Sequence, residues 1–190
     1  MSNNSGYYSL KEILKRKAHY NVIFGERSNG KTYAVLLYAL KAYVKTGKQL
    51  AIVRRFREDF RGKRGQELFR GIVTNNEVSK ATKGAYTGIY HYGDLWYLSA
   101  PDGKGGVTRD EKPFAIGFAI SEMEHDKGSS YPYITTVLFD EFMTRESICL
   151  MSSSCFKTCC LPLYDAGMML LFSCAGIQST DIARIFGKWA

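Results

Sequence analysis

Short apolar runs separated by polar and glycine-bearing stretches set the order of elements along the chain. Leu10, Ile13 and Leu14 fall on one helical face, and Ser9-Leu10-Lys11-Glu12 has the form of a capping box, so the spacing predicts a short amphipathic helix to about Ala18. Tyr20-Asn21-Val22-Ile23-Phe24 predicts a strand that stops at the turn Gly25-Glu26-Arg27-Ser28-Asn29-Gly30. The stretch from Lys31 to Tyr43 has helical composition and should end near Gly47. Leu50-Ala51-Ile52-Val53 predicts a second, buried strand, followed at once by Arg54, Arg55 and Arg57. From Tyr86 to Ala100 the aromatic and β-forming residues, with turn signals at Gly93-Asp94 and Pro101-Asp102-Gly103, predict a β-hairpin insertion, which the apolar run from Phe114 to Ile120 completes. Thr135-Thr136-Val137-Leu138-Phe139 predicts a further buried strand ending in Asp140-Glu141. Strand, helix, strand, insertion and strand in this order predict a three-layer α/β domain with a mainly parallel sheet.

The chain has 190 residues, 45% of them hydrophobic, enough for one globular core. No run approaches the roughly 18 to 20 consecutive apolar residues of a membrane span, and the first residues lack the apolar core of a secretory signal. A cytosolic protein with no membrane partner is expected. Lys and Arg number 26 against 18 Asp and Glu, a net charge of +8, and the whole excess precedes residue 146. A basic surface of this kind attracts polyanions, nucleic acid foremost. All five cysteines (Cys149, Cys155, Cys159, Cys160 and Cys174) lie in the last 45 residues. Their spacing fits neither a zinc site nor a disulfide framework.

Gly25-Glu26-Arg27-Ser28-Asn29-Gly30-Lys31-Thr32 fits G-x-x-x-x-G-K-[ST] between a predicted strand and a predicted helix. Glycines let the backbone curl so that successive N–H groups face a phosphate, and the helix that follows adds its partial positive charge. Lys31 is then the candidate for the β- and γ-phosphates of a nucleotide, and the Thr32 hydroxyl for a Mg²⁺ ion. Such a site needs a carboxylate at a neighbouring strand end, and Asp140 is placed to be the second Mg²⁺ residue. Glu141, next to it, is the candidate for orienting the attacking water. A phosphotransferase would accept the same loop, and so would a nucleotide-binding module without turnover; both remain alternatives to a hydrolase.

With these motifs placed, residues 17–146 resemble the DNA encapsidation proteins of podoviruses. The resemblance rests on Arg27 within the loop, on Val53-Arg54-Arg55-Phe56, and on Lys127-Gly128-Ser129-Ser130-Tyr131-Pro132 leading into Val137-Leu138-Phe139-Asp140-Glu141-Phe142. It implies a RecA-like (ASCE) P-loop fold and an ATPase that drives double-stranded DNA into a preformed capsid. It also implies ATP and Mg²⁺ as cofactors, a homo-oligomeric ring (a pentamer) at the capsid portal, and a packaging RNA as a further partner. The implied setting is the host cell cytoplasm and, transiently, the procapsid portal. Lys31 and Glu141 carry over as catalytic residues, Thr32 and Asp140 as Mg²⁺ residues, and Arg57 as a cation acting across the subunit boundary.

The resemblance divides the chain into a P-loop ATPase core, 1–145, and an atypical Cys-rich tail, 146–190. The family continues with a Y-x-P-N-E segment, an arginine-bearing helix, a strand ending in a polar residue and a nuclease-like domain, none of which is legible after Glu146. The expectation is that the tail is a frameshift product replacing the end of the ATPase domain. Written as AGT ATC TGC CTA ATG AGT TCG TCC TGT TTC, Ser147 to Phe156 becomes SYLPNEFVLF when one T follows the first codon. Without the arginine of that helix, nucleotide binding with weak hydrolysis is expected. The sheet should also be incomplete, leaving Leu170, Leu171 and Phe172 poorly packed.

Overall fold

The computed structural model describes residues 8–18, 20–25, 30–122, 131–140 and 169–175. Among them, α1 (Lys11–Lys15) leads into β1 (Tyr20–Gly25), α2 (Lys31–Thr46) and β2 (Gln49–Arg54). After a 3₁₀ turn at Arg57–Asp59 come three short helices, α3 (Gly62–Glu67), α4 (Arg70–Thr74) and α5 (Glu77–Thr82). The strands β3 (Gly88–Tyr92), β4 (Leu95–Pro101), β5 (Val107–Arg109), β6 (Ala115–Ala119), β7 (Ile134–Asp140) and β8 (Met169–Ala175) follow. The molecule is a mixed α/β fold around one sheet in the order β1-β8-β7-β2-β6-β4-β3, with β5 paired to β4. β1, β8, β7, β2 and β6 run parallel, and β4 and β3 extend the sheet antiparallel. No helix among the described residues is long and apolar enough to cross a membrane.

Side-chain alternation along β2 and β7 separates two buried faces. Leu50, Ile52 and Leu138 join Val35, Leu36, Ala39 and Leu40 of α2 in the main core. Ala51, Val53, Val137 and Phe139 point the other way and are equally buried, the pattern of a sheet covered on both sides. α2 packs on β2 and β7 and against α4 and α5. Trp96 of β4 closes the far end of the core, edge to face with Phe60 at 5.9 Å, tilted against Phe69 at 5.6 Å and stacked on His91 at 5.1 Å. Its indole N–H donates to the Gly65 carbonyl at 2.8 Å, which satisfies the one polar atom of the largest buried side chain.

Four expectations are corrected. α1 ends at Lys15 rather than near Ala18: the chain tightens through Arg16 N–H to Ile13 O and leaves the helix at Lys17, whose φ is 50°. Ser9 does not cap it, because Leu10 holds the N-cap position and the Lys11 N–H lies 3.4 Å from the Ser9 hydroxyl. The run 115–119 does more than complete a hairpin insertion. It pairs in parallel with β2 from Leu50↔Ala115 to Arg54↔Ala119, so the hairpin β3–β4 is an extension of the main sheet. The sheet is also not left incomplete by the tail, since β8 pairs with β1 on one side and β7 on the other. Residues 146–168 and 176–190 lie outside the described residues.

Tyr43, near the end of α2, ties that helix to the segment before β6. Its hydroxyl donates to Asp110 Oδ2 at 2.9 Å and lies 3.0 Å from the Lys112 carbonyl. Burial, then the hydrogen bond to Asp110 and that carboxylate's charge, push the phenol well above its ordinary value. A folded value raised above the unfolded one, about 10, contributes stability that is fully present below that pH and lost as pH rises through the folded value. Denaturant titrations should therefore show a fall in stability above pH about 10 that is shallower in Tyr43→Phe, which itself costs about 1 kcal/mol at neutral pH. Parallel pH curves for the two proteins would contradict this role.

Candidate functional site

The parallel strands β1, β7 and β2 end at one edge of the sheet, at Gly25, Asp140 and Arg54. Ligand sites of open α/β sheets form outside such carboxyl ends. α2 begins at this edge. Gly30 stands at its N-cap with φ 81° and ψ 14°, a left-handed conformation that glycine adopts without steric cost. Its N-cap glycine has no side chain to cap the 16-residue helix, and the positive dipole end there is suited to an anion. Lys31, the first helical residue, is 5% exposed, an unusual burial for an amine.

One turn position on, the Thr32 hydroxyl donates to Asp140 Oδ1 at 3.2 Å, although the two residues lie 108 positions apart. The other oxygen, Oδ2, accepts from Arg54 Nη2 at 2.7 Å. The two ion-pair side chains are 17% and 8% exposed, so the pair is largely withdrawn from water. The Arg54 guanidinium also lies 3.4 Å, through Nη1, from the Asp59 carbonyl. Its buried Nε has no hydrogen-bond partner among the described residues.

Of the residues singled out in the sequence, Gly30, Lys31, Thr32 and Asp140 come together here, and Gly25 ends the neighbouring strand. Glu26, Arg27, Ser28, Asn29 and Glu141 lie outside the described residues. Arg57 donates to Glu122 Oε2 at 2.7 Å and lies 3.4 Å from Asp94 Oδ2. Arg55 lies over the Phe56 ring at 5.1 Å. The run of arginines after β2 gave Arg54 no separate role in the sequence, and its contact with Asp140 is seen only in the fold. Strand parity carried the signal: Leu50, Ile52 and Arg54 share the face of β2 that looks toward α2, as Leu138 and Asp140 do on β7.

A buried amine, the positive end of a helix dipole and a hydroxyl beside a carboxylate can together hold a phosphate-bearing anion and a small hard cation. Oxygen donors of this number suit Mg²⁺, which keeps several waters and takes few protein ligands.

Residues 2–81 match the model of a family described as Podovirus DNA encapsidation protein (Gp16). The chain is 26% identical over 142 residues to a DNA packaging protein of Bacillus phage phi29, a match covering 74% of this chain and 36% of that protein. With a DNA packaging protein of Bacillus phage B103 it shares 30% identity over 128 residues, 65% of this chain and 32% of the other. The chain spans about a third of the length of the curated relatives it matches. Among solved structures, it aligns with the N-terminal domain of the DNA packaging ATPase from bacteriophage phi29 at a TM-score of 0.68 and 20% identity, covering 95% of this chain and 86% of that one. The bacteriophage Phi-29 viral genome packaging motor assembly gives a TM-score of 0.62 at 20% identity, over 92% of this chain and 48% of that chain. The chain thus shares the fold of a phage packaging ATPase N-terminal domain, and its residues 2–81 carry a sequence match to the podovirus DNA encapsidation proteins.

Proposed function

We propose that this chain is the ATPase part of a motor subunit that packages double-stranded viral DNA into a preformed capsid, with a P-loop, RecA-like (ASCE) nucleotide site. The observation that carries the reading is the meeting of Thr32 with Asp140 at the start of a helix whose first residue is the buried Lys31. β8, which keeps β1 and β7 one strand apart, and the structural likeness to packaging ATPase domains both support it.

In this reading the backbone of Gly25, Glu26, Arg27, Ser28, Asn29 and Gly30 surrounds the phosphates of ATP, and Lys31 neutralises the β- and γ-phosphates. Thr32 and Asp140 hold Mg²⁺, which when bound neutralises charge developing on the phosphate oxygens. Glu141 orients the attacking water. Arg57 is the candidate for a cation acting on a neighbouring subunit, and to do so it must exchange Asp94 and Glu122 for the new partner. A homo-oligomeric ring at the capsid portal, with a packaging RNA, completes the proposed setting. Lys83 and Lys104 contribute to its DNA-facing charge; Lys80 contributes less, because Glu77 already accepts from it at 3.0 Å.

Binding of a fluorescent ATP analogue with Mg²⁺ tests this reading. Lys31→Ala should weaken it about 10- to 100-fold, the worth of a charge-assisted contact. An unsubstituted chain that binds no nucleotide would overturn the reading. Hydrolysis stimulated by a small acceptor rather than by DNA would favour the phosphotransferase alternative.

A further inference from the structure

Asp140 divides its two oxygens between two partners that have no direct hydrogen bond to each other in this geometry: the Thr32 hydroxyl on Oδ1 at 3.2 Å and the Arg54 guanidinium on Oδ2 at 2.7 Å. The second distance is that of a charge-assisted bond, and it is made where little water competes. The terminal torsion of an aspartate is broad and two-fold, so a lone carboxylate at this strand end would sample many orientations. Arg54 removes that freedom. Its own position is set by its place at the end of β2, held between β6 and β7, and by the approach of Nη1 to the Asp59 carbonyl at 3.4 Å.

We propose that Arg54 is a positioning residue for the cation site. By fixing Oδ2, it keeps Oδ1 turned toward the Thr32 hydroxyl, so the two oxygens that would receive Mg²⁺ or its waters are aligned before nucleotide arrives. The inference rests on the nucleotide-site reading above. It adds a residue on β2 that touches neither phosphate nor cation and acts through Asp140. The guanidinium also balances the charge of the Asp140 carboxylate at the strand end.

The test uses the full 190-residue chain with Arg54→Met, which keeps an unbranched apolar stem but removes the charge, and Arg54→Lys, which keeps the charge but not the planar fork. Mg²⁺ is titrated against binding of a fluorescent ATP analogue, and the analogue is also bound in the presence of EDTA. The Mg²⁺ midpoint of Arg54→Met should rise about 10-fold, as for other residues that orient a metal ligand from behind. Binding in EDTA should be unchanged, and Arg54→Lys should recover part of the loss. A midpoint in Arg54→Met that is unchanged or lower overturns the proposal, since Arg54 would then be a bystander or a competitor of the cation. If Arg54→Met fails to fold, a folded Arg54→Lys with an unaltered midpoint overturns it equally. An unsubstituted chain whose nucleotide binding ignores Mg²⁺ overturns the nucleotide-site reading and this inference together, whereas failure of the inference alone is visible only in the variants.

Discussion

Asp140→Ala is expected to lower the unfolding free energy of the metal-free protein by about 3 kcal/mol, and to abolish the effect of Mg²⁺ on nucleotide binding. The stability loss arises on the other side of the pair. Removing the carboxylate leaves the Arg54 guanidinium largely buried beside a strand end, with Nη2 deprived of its 2.7 Å partner and Nε already unmatched among the described residues. Breaking a buried pair from one side costs about 3 to 5 kcal/mol. The lower end applies because the Arg54 side chain keeps 17% exposure and can recover some hydration. Denaturant unfolding in EDTA measures the first effect. A double substitution, Asp140→Ala with Arg54→Met, should restore part of the loss by removing the stranded charge, and a double variant as unstable as the sum of the singles would rule out this explanation.

Trp96→Ala should cost about 5 kcal/mol, near the top of the range for removing a large buried aromatic side chain. Trp96 is fully buried and meets Phe60, Phe69 and His91, so the cavity would be lined by rings that cannot close it without moving whole elements. The Gly65 carbonyl would also lose the indole donor, in a place where the Gly65 backbone is packed so closely that an added methyl would collide with the Phe60 carbonyl and the His91 ring. For a domain whose total stability is about 5 to 15 kcal/mol, such a loss approaches unfolding. Trp96→Phe, which keeps a ring but not the hydrogen bond, should be damaged much less. Comparable midpoints for the two variants in urea would show that the ring packing carries little.

Local pattern was enough for most of the elements that frame the site. β1, β2, β7 and α2 follow from apolar runs punctuated by glycine, and Gly47 ends α2 in the left-handed conformation, with φ 70°, that only glycine adopts freely. The helices over residues 62–82 were not legible because each spans only five or six residues, too few for a 3.6-residue period to declare itself. Their anchors Phe60, Phe69, Ile72 and Val78 are defined by the core they enter rather than by spacing. The pairing of β8 was illegible for a different reason. A parallel partner some 150 residues away leaves no trace in local alternation. At the site, the glycine-rich motif pointed to Thr32 and Asp140 together, whereas Arg54 required knowing which face of β2 looks toward α2.

The position of β8 governs the order in which the molecule can be assembled. Among the described strands, β1 pairs with β8 alone, so residues 20–25 leave the ribosome with no neighbour to receive them until 169–175 have followed. At ordinary elongation rates that interval is about 10 to 30 s. β2 and β6 can join much sooner, and β7 can then add to their edge. The strand that introduces the candidate phosphate loop is made early and docked late. During that interval two unpaired parallel edges, on β1 and on β7, are exposed to other chains. The edge that carries Gly25 and Asp140 is thus a property of the finished sheet, complete only when its last described strand slots between β1 and β7.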